Sequence, residues 1–333
     1  MNTAAAFYPV GTPGQPWGAP ERAQWLARQT VQRSYAAEVV SKIDALRERF
    51  DVSQYGELDY PSGRYPLFAI RSRNWDEALP VMLVTGGVHG YETSGVQGAL
   101  QFVDQHAADY TGRCNLLIAP CVSPWGYERI QRWNALALDP NRSFVPDSPA
   151  QESAALMALV APLQGRFLVH IDLHETTDSD ESEFRPALAA RDGKPFEPGE
   201  IPDGFYLCAD SLNPQPAFQQ AVNAEVAKVT HIAPADAQGR SSVRRWWRRA
   251  SSSIRSRRWD CAPASPMPAT PPPPRSTRTA PRPRRSNAIW HRWRQCAGHW
   301  TTRWPIAECG GRDAEPAHPG EPGGLSAGLQ ACR

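Results

Sequence analysis

Residues 21–239 read as one α/β domain with a largely parallel or mixed sheet. Two observations lead there. Short apolar runs of strand character alternate with stretches whose apolar residues recur at helical spacing. Charge, in turn, divides the 333-residue chain near residue 240. Residues 1–239 carry 18 Lys+Arg against 29 Asp+Glu, a net of −11, whereas residues 240–333 carry 18 Arg, no Lys and 5 acids, a net of +13. The whole-chain charge of +2 describes neither part.

Taken in order, residues 1–20 are rich in Pro and Gly and predict an extended lead-in. Residues 21–50 read as helix, with charged positions between apolar ones. "YPLFAIRS" and "PVMLVTGG" are short β-type runs. After the second come Glu92 and then Val96, Ala99, Leu100 and Val103, spaced as one face of a helix. "CNLLIAP" is a further buried-strand candidate, and "PAQESAALMALVAPLQ" sets Leu156, Leu159, Val160 and Leu163 on one stripe. "RFLVHIDLHE" is a strand that ends in charge, "FYLCA" is another strand, and "PAFQQAVNAEVAKV" another helix. Strands alternating with helices give an α/β domain, whose ligands sit at the carboxyl ends of strands. His89 and His174 both fall there.

Composition narrows the function. The start has no basic segment followed by a long apolar one, and no later run approaches the ~18 apolar residues of a membrane span. A soluble, cytoplasmic protein without a membrane partner is therefore expected. The seven Cys are scattered without a CxxC pair, which argues against both a disulfide framework and a structural zinc ribbon. Residues 240–333 hold no Phe or Tyr, seven of the twelve Trp, 13 of the 33 Pro, and only six Val, Ile and Leu. Six such residues cannot bury a core, so this segment is predicted to be disordered. Its Arg and Trp are of the types that bind nucleic acid by phosphate neutralisation and stacking. No nucleic-acid module surrounds them, and that partner is set aside.

His89 and Glu92 stand three residues apart where a strand turns into a helix. A polar turn needs no metal, yet an imidazole and a carboxylate so placed can converge on one cation. His174, 82 residues after Glu92 at a strand end, is either a satisfied interior side chain or a third ligand. Two histidines and a carboxylate with an open fourth position are a usual catalytic zinc set. In "RWNALALDPNRSF", Asn141 and Arg142 are adjacent in a Pro-flanked loop. Arginine's planar fork suits a carboxylate, while the plainer reading is a solvated loop arginine. Arg132 is suited to an oxyanion or to a surface salt bridge. Asp172 reads as a solvated strand-end carboxylate or as a group orienting a ligand.

Together these segments resemble the zinc carboxypeptidase (carboxypeptidase A-like) family, including its bacterial branches and the related succinylglutamate desuccinylase/aspartoacylase group. "VTGGVHGYE" resembles the family's Gly-rich H-G-x-E segment, and "SPWGYERIQRWNALALDPNRSF" its stretch from N-P-x-G to D-x-N-R-x-F. "IDLHE" resembles the strand bearing the last ligand. The likeness covers residues 55–235 or so. It implies one Zn2+ on His89, Glu92 and His174, with Asn141 and Arg142 holding a substrate carboxylate and Arg132 stabilising a tetrahedral oxyanion. The fold it implies is a mixed, mostly parallel sheet of about eight strands between helices, incomplete here at its C-terminus.

The chain departs from the family at the general base, which is a Glu on a late strand in a T-E-like context. After residue 239 the only glutamates are Glu308, Glu315 and Glu321, none in a strand-like run. Glu175 neighbours His174, but strand neighbours point to opposite faces. Loss of Phe, Tyr and Lys with gain of Arg, Pro and Trp is what a GC-rich gene yields in a wrong frame. Shifting "PPPPRSTRTAP" by one nucleotide upstream is compatible with a β-rich run that contains Thr-Glu-Val-Tyr. The sequence thus predicts three segments: a lead-in at 1–20, a truncated catalytic domain at 21–239, and a disordered or frameshifted tail at 240–333. The expected function is a zinc-dependent hydrolase cleaving an amide next to a free carboxylate through a zinc-activated water, impaired here for want of its base. Its alternatives are an N-acyl-amino-acid deacylase and a non-catalytic zinc- and carboxylate-binding protein. The substrate is thus a peptide or an N-acyl amino acid, and nothing in the sequence speaks to oligomeric state.

Overall fold

The computed structural model describes residues 8–199, 201–209, 213, 215–234 and the strand backbone at 325–332. Its strands are β1 (Asp51–Tyr60), β2 (Gly63–Arg71), β3 (Val81–Gly86), β4 (Asn115–Ala119), β5 (Phe167–Thr176), β6 (Tyr206–Ala209) and β7 (Leu325–Cys332). Among the described residues they form one seven-stranded sheet in the order β1-β2-β4-β3-β5-β7-β6, where the sequence implied about eight strands. β3 runs parallel to β4 and β5, and β5 parallel to β7; the β1–β2, β2–β4 and β6–β7 pairs are antiparallel. The sheet is therefore mixed, with a parallel centre.

Helices cover both faces, and β3 shows why. All six of its residues are buried. Met82 and Val84 join one apolar cluster with Ile43, Val96, Leu100 and Val226, while Val81 and Leu83 join another with Leu156 and Val160. The alternation of side chains along a strand divides them in this way. The first cluster rests on α2 (Ser41–Ala45), α3 (Thr93–His106) and α7 (Pro216–Val226); the second rests on α5 (Gln151–Val160). The helical stripes read from the sequence are the faces that pack: Val96, Ala99, Leu100 and Val103 of α3 are buried, as are Leu156 and Val160 of α5. A third cluster gathers Trp17, Trp25, Trp125 and Trp133 with Tyr60 and Tyr65 near the start of the chain. Ring centroids lie 5.6 Å apart for Trp25–Trp133 and 6.3 Å for Trp25–Trp125.

Three expectations are revised. The helix predicted over residues 21–50 is broken: α1 (Ala19–Leu26) ends early, and helix resumes with a π turn at Ala36–Val40 that leads into α2. Tertiary hydrogen bonds take the intervening backbone, since the amides of Gln32 and Arg33 both donate to the Glu128 carbonyl. Arg33 also reaches the Gly90 and Tyr127 carbonyls. Secondly, α1 begins at Ala19, inside the extended lead-in predicted at 1–20, whose Tyr8, Val10 and Trp17 are buried. Thirdly, Leu325–Cys332 lies in a strand, although disorder was predicted throughout 240–333. This stretch lacks the Arg, Pro and Trp that dominate its surroundings, and its backbone pairs on both sides, with β5 and with β6. The remainder of 240–333 lies outside the described residues, and so do the predicted frameshift and the rest of the predicted disorder. No helix among the described residues is long and apolar enough to cross a membrane.

Candidate metal centre

The site forms where β3 and β5 end. Beyond β3 the chain turns through Gly87 at φ +59°, a left-handed conformation that favours glycine. At Gly90 the next segment, α4 (Pro124–Arg129), comes so close that a Cβ would stand 2.0 Å from the carbonyl carbon of Gly126. Only glycine fits that approach. The turn delivers His89 and then Glu92, which is the N-cap residue of α3.

β5 brings the third member. Its registered pairing with β3 sets Asp172 beside Thr85 and Leu173 beside Gly86, so His174 lies just past the end of β3. His89, Glu92 and His174 are 1%, 0% and 5% exposed, with candidate ligand atoms all within 4.8 Å of one another. Nδ1 of His89 lies 2.8 Å from Glu92 Oε1, and Nδ1 of His174 lies 3.1 Å from the same oxygen. The three residues singled out in the sequence therefore meet.

The outward nitrogens are held as well. His89 Nε2 is 3.0 Å from Asp139 Oδ1, and His174 Nε2 is 2.5 Å from Asp172 Oδ2. Asp172 is fixed in turn by the Thr85 hydroxyl, which donates to its Oδ1 at 2.7 Å. Of the two readings of Asp172, the structure selects the orienting one over the solvated carboxylate. A carboxylate on the outer nitrogen sets which ring nitrogen keeps its proton and directs the other inward.

Asp139 is the residue that sequence reasoning passed over. Its Oδ1 also accepts the Asn141 amide at 2.9 Å, and its Oδ2 accepts Arg132 Nε at 3.3 Å. One side chain thus links a candidate ligand, Arg132 and the Pro140–Arg142 turn. Its signal was present as the carboxylate two residues before Asn141, but only the fold shows that it faces His89. Arg132 is 15% exposed and paired with Asp139 and Asp180, which excludes a surface salt bridge. Arg142 lies within electrostatic reach of Asp139 and Arg132. The side-chain amide of Asn141 makes no hydrogen bond among the described residues.

Electrostatics favour positive charge at the centre. Burial alone would raise the Glu92 carboxyl, but the imidazoles of His174 and His89 hold it below the usual carboxylate range. Asp139 is held well below that range against its burial by His89 and Arg132, and Asp172 is brought down to about 2 against burial by His174. Burial opposes a charge on His174, yet Asp172 and Glu92 raise its pKa well above the ordinary imidazole value. With both imidazoles neutral, the carboxylates of Glu92, Asp139, Asp172 and Asp180 outnumber the guanidiniums of Arg132 and Arg142 by two charges. Either protons on the two imidazoles or one divalent cation would balance that excess.

Glu175 lies on the other side of its strand. Its Oε2 accepts the Ser94 amide at 3.0 Å and the Ser94 hydroxyl at 2.8 Å, so it serves the start of α3. Burial raises its pKa. On the far edge of β5, β7 sets Gln330 in register with His174, and Leu325–Cys332 contains no acidic residue.

No protein-family model and no curated protein matches the chain. Similar solved structures include metallopeptidases and carboxypeptidases. A provisionally assigned metallopeptidase from Shewanella baltica is 22% identical over 57% of this chain and 65% of its own, with a TM-score of 0.43. One from Shewanella amazonensis, also provisionally assigned, is 22% identical over 62% and 76%, with a TM-score of 0.46. A metallo-carboxypeptidase from Burkholderia cenocepacia is 14% identical over 64% and 50%, with a TM-score of 0.40. The chain thus spans just under two thirds of the first of these and half of the last.

Proposed function

We propose that this chain carries the zinc site of a hydrolase that cleaves an amide next to a free carboxylate, and that it is a member of the zinc carboxypeptidase family its motifs resemble. The observation that carries the reading is the inward convergence of two imidazole Nδ1 atoms on Glu92, each ring braced from behind by an aspartate. With Nε2–H donated to Asp139 and Asp172, both Nδ1 atoms face the Glu92 carboxylate, an arrangement that a proton on Nδ1 or a cation between the groups satisfies, and the set of two imidazoles and a carboxylate favours the cation. Glu92 Oε2 supports the same conclusion. It is a buried acceptor without a hydrogen-bond donor, although His174 Nδ1 is 2.9 Å away, because the aligned bond from that nitrogen runs to Oε1. Two imidazoles and a carboxylate are a zinc donor set.

His89, Glu92 and His174 would hold the ion. Bound there, zinc supplies Lewis acidity to a carbonyl oxygen and to a water molecule. Arg132 has Nε and Nη1 engaged, and its Nη2 makes no hydrogen bond among the described residues, which leaves it for a developing oxyanion. Arg142, with Asn141, is assigned to the substrate's carboxylate, for which a guanidinium fork is suited. Asp139 and Asp172 keep the ligand rings in place and take no proton from water.

No proton acceptor is free at the site among the described residues. Among the described residues, Asp139, Asp172 and Asp180 each carry two or more hydrogen bonds, and Glu175 is spent on Ser94. That supports a second reading, in which the chain binds zinc and a carboxylate without turnover. Metal analysis and rate measurements on the purified chain test both. We expect one zinc per chain and little hydrolysis of C-terminal peptide bonds or of N-acyl amino acids. A chain that takes up no zinc overturns the site; chelator-sensitive turnover overturns the impairment. Sequencing codons 236–243 and expressing the gene in the shifted frame tests whether the missing glutamate is encoded there, and comparing the two substrate classes separates peptidase from deacylase.

A further inference from the structure

Arg132 is gripped from two directions. Asp139 engages Nε at 3.3 Å, while Nη1 donates to Asp180 Oδ1 at 3.3 Å and to the Tyr91 hydroxyl at 3.4 Å. Asp180 is 5% exposed and opens the turn after β5. Its other oxygen accepts the Tyr91 hydroxyl at 2.8 Å and the Thr177 amide at 2.9 Å. Tyr91 is wedged in turn by Phe184, with ring centroids 4.6 Å apart. All three contacts to Arg132 are longer than the 2.7–2.9 Å or so of an optimised charge-assisted bond. They therefore fix the direction of the guanidinium without using up its hydrogen-bonding strength.

We infer that Asp180 and Tyr91 are positioning residues that clamp Nη1 of Arg132, so that Nη2 is the tine presented to an anionic oxygen of the ligand. The ligand's part in this rests on the function proposed above; the clamp itself stands on the contacts alone. A long side chain left unclamped samples many rotamers, and donors fixed before a charge develops stabilise it without reorganising. Asp139 cannot aim the fork alone, because one contact at Nε leaves the plane free to turn. Two anchors on different nitrogens fix that plane.

Arginine-directed labelling tests the clamp without requiring turnover. The full chain, zinc-loaded and zinc-free, is treated with phenylglyoxal, and adducts are followed by peptide-mapping mass spectrometry. Asp180→Asn should speed modification of Arg132 about tenfold, the change expected for one lost charged hydrogen bond. Tyr91→Phe, which removes one hydroxyl, should speed it less, and Asp180→Glu, which keeps the charge, should restore most of the protection. Arg129, 8% exposed and remote from Asp180 in these contacts, reports general loosening and should stay at its wild-type rate. If Asp180→Asn fails to fold, Tyr91→Phe carries the test. Wild-type rates at Arg132 in the folded variants overturn the clamp, and so does a parallel rise at Arg129. A chain that binds no zinc but shows the specific rise at Arg132 sinks the zinc reading and leaves the clamp standing.

Discussion

Two glutamates among the described residues are fully buried, Glu92 at the head of α3 and Glu152 in the first turn of α5. Glu152 takes its hydrogen bonds from neutral donors: the Tyr60 hydroxyl at 2.6 Å and the Asn134 amide at 3.0 Å. Burial pushes its pKa up, and those two bonds offset only part of the rise. Glu92 faces two imidazoles instead, and they pull its pKa down against the same burial. Burial therefore does not make a site. The neighbours decide whether a buried carboxyl tends toward a neutral acid that completes a core or toward an anion that gathers cations.

The comparison breaks most sharply at His174. His174→Ala removes a proposed ligand and should weaken zinc binding by more than roughly 100-fold, beyond the range seen for outer residues. Competition with a chromogenic chelator measures it. Glu152→Gln in the same assay should bind zinc like the wild type; equal losses in both would reduce the Glu92 cluster to ordinary core polarity.

A smaller effect is expected one layer out. Asp172→Asn keeps the shape but weakens the hold on His174 Nε2, and should cost about 10–100-fold in zinc affinity. An affinity unchanged from wild type would show that the ring is oriented by packing alone.

The smallest effect concerns stability at Glu152. Its folded pKa lies above the unfolded value of about 4.3. Its contribution is therefore complete below that value and is lost as pH rises through the folded pKa. Glu152→Gln cannot ionise, so it should be within about 1 kcal/mol of wild type in acid and gain on it as pH rises to 7. Denaturant midpoints at pH 4 and pH 7 give the sign, and a difference that does not change with pH would mean that Glu152 folds with an ordinary pKa.

Much of the fold was legible because periodicity reports which face is buried. The buried, mostly apolar β3 and β4 and the stripes of α3 and α5 were found in this way. β1 was not, since its exposed and half-buried residues follow neither pattern clearly. The break after Leu26 was illegible for another reason. Arg33 is drawn out of the helix by carbonyls some 60 and 90 residues away, a competition that no local window contains. At the site, His89, Glu92 and His174 could be picked out by residue type and position at strand ends. Asp180 and Tyr91 could not, because nothing in their local sequence marks them as partners of Arg132.

By itself, then, the sequence determined the candidate donor set. Its residue types and its strand-to-helix turns fix which groups can stand at the ends of β3 and β5. Only the tertiary structure decided how they stand: Asp139, 50 residues from His89, and Asp172, braced by Thr85 on the next strand, turn both Nδ1 atoms inward. The orientation of a side chain follows the hydrogen-bond partners it meets, and here most of those partners arrive from distant parts of the chain. Tertiary structure also placed Gln330 in register with His174. Strand pairing decides which residue stands in register with His174, and no local window of the sequence contains that pairing.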